Sequence, residues 1–383
     1  MRKTLLVALT AVGALTMAAC SGASDAEAPD STVTVATTGP AATDAPDTTE
    51  PTTTEVAVGV EAWESITAPA DCMCSDGSTF TFHVRQGDPT KVLFFMEGGG
   101  ACFSAETCAP ESETFKRTSL LPEDLAAGTG TGIWDIDNPE NPFAGWSVVY
   151  VPYCTGDVHI GNATTDYGSG VVVEHKGYVN GNAAVTAMAE RFPSATQIVV
   201  AGESGGSVPS PLYAGIVADR YPDARITVLA DGSGAYPDIP AINGVIGANW
   251  GTLDAVPDWP VNEGMTVERW SFPGLFIQAG THSPDIVFAR HDYAFDRTQV
   301  FFAGLAGIPA DDLVSLIDAN EVQIETAGVN LWSYISPGDD HTVLHRDAFY
   351  TQTVEGVRLV DWVTSLVGGD TVADVHCMVC SAS

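Results

Sequence analysis

Basic side chains are scarce in this sequence: 15 lysines and arginines stand against 49 aspartates and glutamates in 383 residues, a formal net charge of −34. Phosphate binding needs clustered lysine and arginine, so nucleic acid is excluded as a partner. The imbalance chiefly confers solubility and argues against a polyanionic substrate unless the cleft is locally neutral. Long apolar runs are lacking as well. The run at residues 5–15 is too short to span a bilayer, and no other stretch is long enough. No internal repeat is visible. Cys377 and Cys380 have no second ligand pair at zinc spacing, so a structural disulfide is expected there rather than metal or redox chemistry. No motif implies a metal or an organic cofactor.

What is present begins with Arg2-Lys3, the apolar run, and Thr16-Met17-Ala18-Ala19-Cys20. These read as an export signal over residues 1–20, ending in a bacterial lipobox. Cys20 is then the lipidated first residue of an exported protein, held at the cell surface or the periplasmic face of a bacterial membrane. The membrane is touched only through that anchor. Residues 21–55 are Ala, Thr, Ser, Pro, Asp and Glu with almost no large apolar side chain, the composition of a disordered tether. Residues 56–383 remain as one globular domain, expected to be a monomer. Export also means oxidised cysteines. Of the eight, Cys20 is lipidated, and an odd seven are left, so one is unpaired or paired with another chain.

Along that domain, apolar runs alternate with helical patterns. Strands are expected at residues 79–85, 91–96, 146–151, 198–201, 226–230, 275–279 and 330–335. Helices are expected at 180–191, 212–220, 311–319 and in the apolar pattern from Val354 to Leu366. Residues 232–270 form a long insertion bearing Trp250, Trp259 and Trp270. These three are a cap that stacks on sugar or covers an acyl chain, or else ordinary core. Strands and helices at this spacing imply an α/β fold, a doubly wound, mostly parallel sheet with insertions, whose ligands sit outside the carboxyl ends of the strands.

At the centre, the apolar run of residues 198–201 leads straight into Gly202-Glu203-Ser204-Gly205-Gly206. A Gly-x-Ser-x-Gly between a buried strand and a helix start is a nucleophile elbow, which lifts Ser204 above the sheet. A serine nucleophile needs a base, an acid to orient that base, and donors for the oxyanion. In α/β-hydrolases these follow in the order Ser, Asp/Glu, His, each after a strand. His341, after the last expected strand, fits the base, with His345 as rival. Asp285, after the expected strand 275–279, is favoured as the acid, and Asp231 is the alternative. Asp339 and Asp340 are too near the base in sequence to fold back on it. The oxyanion donors are expected from Gly205 and from Gly99-Gly100, a glycine-rich turn after an early strand.

At these residues the sequence resembles the pectin acetylesterase family, which includes the Notum carboxylesterases. Cys74-Ser75-Asp76-Gly77-Ser78, Glu97-Gly98-Gly99-Gly100-Ala101-Cys102 and Pro152-Tyr153-Cys154-Thr155-Gly156-Asp157-Val158 resemble successive motifs of that family. So do the elbow and Gly338-Asp339-Asp340-His341-Thr342. The resemblance implies an α/β-hydrolase carboxylesterase with Ser204, Asp285 and His341 as triad, and disulfides Cys102–Cys108 and Cys74–Cys154. The pairing among Cys72, Cys377 and Cys380 stays open. Three departures from the family matter: Glu203 and Gly205 in the elbow, Gly100 where some members carry an aromatic, and Pro209 and Pro211 in the first turns of the following helix, where a kink is expected.

The expected function is a serine carboxylesterase forming an acyl-enzyme on Ser204, with an acetyl ester, possibly of a polysaccharide, as substrate by family analogy. One alternative is a lipase or depolymerase acting on longer acyl chains or polyesters, which an apolar groove favours. Another is a non-catalytic binding lipoprotein on a hydrolase scaffold, whose mark is loss of a triad residue.

Overall fold

The computed structural model describes residues 62–119 and 130–381. The export signal, Cys20 and the tether lie outside these residues. The main sheet has nine strands: β1 (Glu64–Thr67), β2 (Thr81–Arg85), β3 (Asp88–Met96), β4 (Trp146–Val151), β5 (Gln197–Glu203), β6 (Arg225–Asp231), β7 (Val287–Tyr293), β8 (Leu331–Ser336) and β9 (Val375–His376). Their order is β1-β2-β4-β3-β5-β6-β7-β8-β9. Only β2 runs against the rest, antiparallel to both β1 and β4. This is the expected doubly wound α/β sheet, and its order and hand of pairing are those of an α/β-hydrolase.

Period-two alternation splits the central strands between two cores. Val92, Phe94 and Met96 of β3 face one side with Val200 of β5 and Val228 of β6. Leu93 and Phe95 face the other with Val199, Ala201 and Leu229. Both faces are covered, which is why these strands read as unbroken apolar runs. The first face lies under helices α1 (Gly177–Arg191), α2 (Ser210–Arg220) and, from the insertion, α3 (Pro240–Trp250) with α4 (Phe272–His282). Farther along run α5 (Arg297–Leu305) and α6 (Leu313–Thr326), while α7 (Leu359–Gly368) packs Leu359, Val363 and Leu366 on the second face. Among the described residues no helix is long and apolar enough to cross a membrane.

Two expectations fail here, and they are linked. Residues 275–279, read as a strand, lie inside α4. A five-residue apolar run cannot distinguish a buried strand from a buried helix segment. The deciding signal precedes it: the Ser271 hydroxyl accepts from the Gly274 N–H at 3.2 Å, with Pro273 in the first turn. The true strand, β7, carries no apolar run in sequence because its centre is Arg290-His291-Asp292. All three are nonetheless buried, and each is paired. Arg290 Nε lies 2.9 Å from Asp292 Oδ2 as an ion pair, and His291 bridges Asp231 at 2.8 Å and Ser336 at 2.9 Å.

The prolines after the elbow do not kink α2. Pro209 is its N-cap and Pro211 falls in its first turn, where no N–H is required. Of the three tryptophans, Trp259 stacks on His282 with ring centroids 4.5 Å apart and donates to Asp219 at 2.9 Å, a core role. Trp250 and Trp270 are buried too, but they also line the cavities described below.

Disulfides join Cys74 to Cys154, Cys102 to Cys108 and Cys377 to Cys380. Among the described residues Cys72 is the free, buried thiol, and burial pushes its pKa up to about 11, so it is a poor nucleophile. The first bridge spans 80 residues and ties the loop before β2 to the loop after β4. A Cys74→Ala/Cys154→Ala double variant is therefore expected to lose about 2–4 kcal/mol, read from urea unfolding under oxidising conditions. An unchanged midpoint would show that the bridge does not constrain the unfolded chain.

Candidate active site

The elbow is built by close approach. A Cβ at Gly202 would lie 2.1 Å from the Gly206 carbonyl oxygen, and one at Gly206 would lie 2.1 Å from that of Met96, so only glycine fits at either position. Between them Ser204 has φ +51°, a left-handed conformation unusual for a side-chain-bearing residue. Such strain is held in place by the surrounding sheet and helix, and it marks sites where a side chain must be presented.

Ser204 Oγ lies 2.6 Å from His341 Nε2, and His341 Nδ1 lies 2.6 Å from Asp296 Oδ2. The acid on the imidazole is thus Asp296, and neither of the two carboxylates expected from sequence. Asp285 is exposed and precedes β7. Six residue steps of strand, about 20 Å, carry the chain from there to the edge of the sheet where His341 stands. Asp231 does end β6 on the correct edge, but it grips the histidine loop by its main chain. Its Oδ2 accepts from the N–H groups of Val343 and Leu344 at 2.8 and 2.9 Å, while Oδ1 meets His291.

Asp296 is fully buried, and its carboxylate oxygens are well supplied with donors. It is the N-cap of α5, taking the Thr298 and Gln299 N–H groups on Oδ1 at 2.8 and 3.0 Å. The Gln299 side-chain amide donates to Oδ2 at 3.0 Å and to Asp292 Oδ1 at 2.9 Å. The signal was present in the sequence as Asp296-Arg-Thr-Gln299, an Asp at the cap with Gln three residues on. It was unreadable as a triad acid without β7 in front of it.

His345, the rival base, pairs with the elbow's own Glu203, Nδ1 to Oε2 at 2.5 Å. That hydrogen bond holds its pKa above the usual histidine value, against the pull of burial. Asp339 pairs with Arg297, and Asp340 with Arg346 at 2.7 Å, so both loop acids are engaged away from the imidazole.

Gly100 and Gly205 face one another beside Ser204: a Cβ on Gly205 would stand 3.0 Å from the Gly100 carbonyl oxygen. Gly100 has φ +78° and sits opposite Phe115 in a single bridge. The bridge's hydrogen bonds are made by Gly99 and Ala101, leaving the Gly100 N–H outside it. Gly99 instead backs onto Tyr153 and Lys116 and is not among the residues lining the pocket. Beneath the turn, buried Glu97 takes the Tyr153 N–H at 2.9 Å and pairs with Lys116. Burial raises the pKa of Glu97 despite that cation. His159 donates to the Glu97 carbonyl at 2.9 Å, and burial lowers its pKa, which keeps it neutral.

From Ser204 opens an apolar cavity of about 70 Å³, walled by Phe103, Val158, Val208, Phe272 and Phe302 among others. A second of the same size continues it and shares Tyr236, Ile246, Trp250, Phe272 and Ala306. Two other clusters among the described residues bring possible metal ligands within 4.8 Å of one another. In one, Cys102 and Cys108 are spent on their mutual disulfide beside His175; in the other, Glu321, Glu325 and Asp374, two of the three are exposed.

A strained serine at an elbow, an imidazole and a capped carboxylate on successive strand ends define a serine hydrolase of the α/β class. The sequence model of the family described as pectinacetylesterase matches residues 58–251, just over half of the 383-residue chain. The chain belongs to that family of serine carboxylic ester hydrolases. It is 37% identical over 94 residues to palmitoleoyl-protein carboxylesterase notum2 of Xenopus laevis, a match covering 24% of this chain and 19% of that protein. It is 34% identical over 92 residues to palmitoleoyl-protein carboxylesterase NOTUM of Homo sapiens, covering 23% and 18%. To the inactive palmitoleoyl-protein carboxylesterase notum1b of Danio rerio it is 34% identical over 93 residues, covering 23% and 66%. The chain thus spans less than a fifth of the first two and just under two thirds of the third.

Two outcomes are expected. Asp296→Asn lowers kcat by about three to four orders of magnitude, as loss of a triad acid does, while Asp285→Asn leaves it unchanged; the reverse pattern in ester hydrolysis would reinstate Asp285. The second concerns pH. Because the folded pKa of His345 is raised, its pairing with Glu203 stabilises fully below the unfolded value of about 6.5 and is lost as pH rises through the folded one. The gap in urea midpoint between wild type and His345→Gln should accordingly be widest in mild acid and close toward alkaline pH. A gap independent of pH would mean the pair carries no charge.

Proposed function

We propose that this protein is a serine carboxylesterase for esters with an apolar acyl chain of several carbons. The carrying observation is the pair of joined apolar cavities opening from Ser204 Oγ. Each holds on the order of five water-sized spheres, where the methyl of an acetyl group fills one or two. An acetyl group would leave most of the apolar lining without contacts, forfeiting dispersion and desolvation energy. The longer-chain alternative is therefore favoured over the acetyl ester. The names of the relatives, palmitoleoyl-protein carboxylesterases, point the same way.

In the reaction, His341 Nε2 takes the Ser204 proton as Oγ attacks the ester carbonyl, and Asp296 stabilises the imidazolium that forms. The N–H groups of Gly205 and Gly100 meet the developing oxyanion. His341 then gives its proton to the leaving alcohol, and a water, activated by the same nitrogen, releases the acid from Ser204. Contact between all three triad side chains speaks against the non-catalytic reading. Cys20 remains our proposed lipid anchor for an exported enzyme; Cys20→Ser should release the protein from membranes, and retention there would refute the anchor.

The test is hydrolysis of p-nitrophenyl acetate, butyrate and octanoate. We expect kcat/KM to climb by about fourfold per added methylene until the cavities fill, and Ser204→Ala to abolish turnover. A maximum at acetate would overturn the acyl-chain reading and restore the acetylesterase.

A further inference from the structure

The two segments that wall the cavities do more than line them. Residues 239–253, carrying α3, and residues 295–310, carrying α5, hold six of the eleven large apolar side chains exposed among the described residues: Val245, Leu253, Phe295, Val300, Phe301 and Leu305. Val245 is 64% and Phe301 52% exposed, values at odds with core packing. Their neighbours Ile246 and Phe302 point the other way, into the pocket. Each helix therefore presents apolar side chains both to the acyl cavity and to solvent.

Charge sets these segments apart as well. The chain carries an acidic residue in about every eight, yet residues 239–253 hold none and residues 295–310 hold only Asp296, which is buried on His341. Acids resume at once on either side, at Asp238, Asp254, Asp311 and Asp312. In a molecule of net charge −34, two acid-poor apolar segments, a collar beside the catalytic cavity, are a local exception, and the acids that adjoin them are engaged, Asp339 with Arg297 and Asp238 with Asn243. A carboxylate brought to an apolar phase must be stripped of water, a cost that pairing with a cation lowers, as Asp339 is paired with Arg297 here. Scattered single hydrophobics on a surface need no explanation, but these lie on two segments that meet at one cavity through Ile246, Phe302 and Ala306, and exposed apolar surface beside a binding groove marks an interaction site.

We infer that the collar docks on the surface of an aggregated, uncharged, water-insoluble ester, so that the enzyme works at a lipid–water interface and draws acyl chains from it directly into the cavity beside Ser204. The inference rests on the carboxylesterase reading above and names the physical state of its substrate. Charge selects the neutral phase: an anionic bilayer would be repelled by the rest of the surface. Continuity of the collar with the acyl cavity accounts for its position.

The experiment has a kinetic and a binding arm, each comparing wild type with a Val245→Ser/Phe301→Ser double variant, whose changed side chains line neither cavity. In the first, hydrolysis of tributyrin is followed through its solubility limit. Wild type should show a step in rate where droplets appear, and the double variant should lose the step while hydrolysing dissolved p-nitrophenyl butyrate as before. In the second, both proteins carry Ser204→Ala and are floated with triolein emulsion. The double variant should bind at least about tenfold more weakly, because two large apolar side chains no longer leave water. Saturation without a step, or equal flotation of the two proteins, overturns the inference. A collar that instead mediates a wild-type dimer, seen by sedimentation and absent from the double variant, overturns it also. Failure of wild type on dissolved butyrate with intact flotation would sink the esterase reading and leave the docking surface standing.

Discussion

Asp296 is the point on which the site depends, because one carboxylate performs two structural tasks and the chemistry needs both. One oxygen closes the first turn of α5; the other fixes the imidazole of His341. The helix that walls the acyl cavity is thereby anchored to the same atom group that orients the base. A shift of α5 is a shift of the triad. Gln299 strengthens the coupling, since its amide joins Asp296 to Asp292 and so to the ionic core of β7 and Arg290.

Around that centre the loops are held by main-chain contacts more than by side-chain pairs. Asp231 fixes Val343 and Leu344, Glu97 fixes Tyr153, and His159 holds the Glu97 carbonyl. Buried polar groups are costly unless satisfied, and here each is satisfied by a segment that must not move. The pocket side is built oppositely, from aromatic and aliphatic walls with few polar atoms. Polar frame and apolar pocket meet at Ser204.

Much of this could be read from the amino-acid order, and the parts that could not have physical causes. The strands from β3 to β6 were legible because burial on both faces leaves an uninterrupted apolar run, and the elbow because Gly202 and Gly206 are sterically required. His341 was legible from its place after β8. Asp296 was not, because β7 hides three polar residues whose partners lie on β6, β8, α5, α6 and within β7 itself, so its buried character is a tertiary fact. The run of residues 275–279 misled for the converse reason: it is apolar on a helix that is buried almost all round. Two bridges of the disulfide framework followed from the family resemblance, while the third, open in sequence among Cys72, Cys377 and Cys380, joins Cys377 to Cys380. The cavities had no sequence signature, since their walls come from stretches far apart in the chain.

The grip of Asp231 on the histidine loop leaves the loop's side chains out of the contract. It holds two amide hydrogens that nineteen of the twenty amino acids supply equally, so the register of residues 343 and 344 does not depend on what they are. Proline alone is barred from either position, lacking the hydrogen to give. What constrains these two places is the core beneath them, where Val343 and Leu344 are both buried. The loop can accordingly drift in sequence, or be diversified in a library, along its hydrophobic volume without displacing the imidazole two residues upstream.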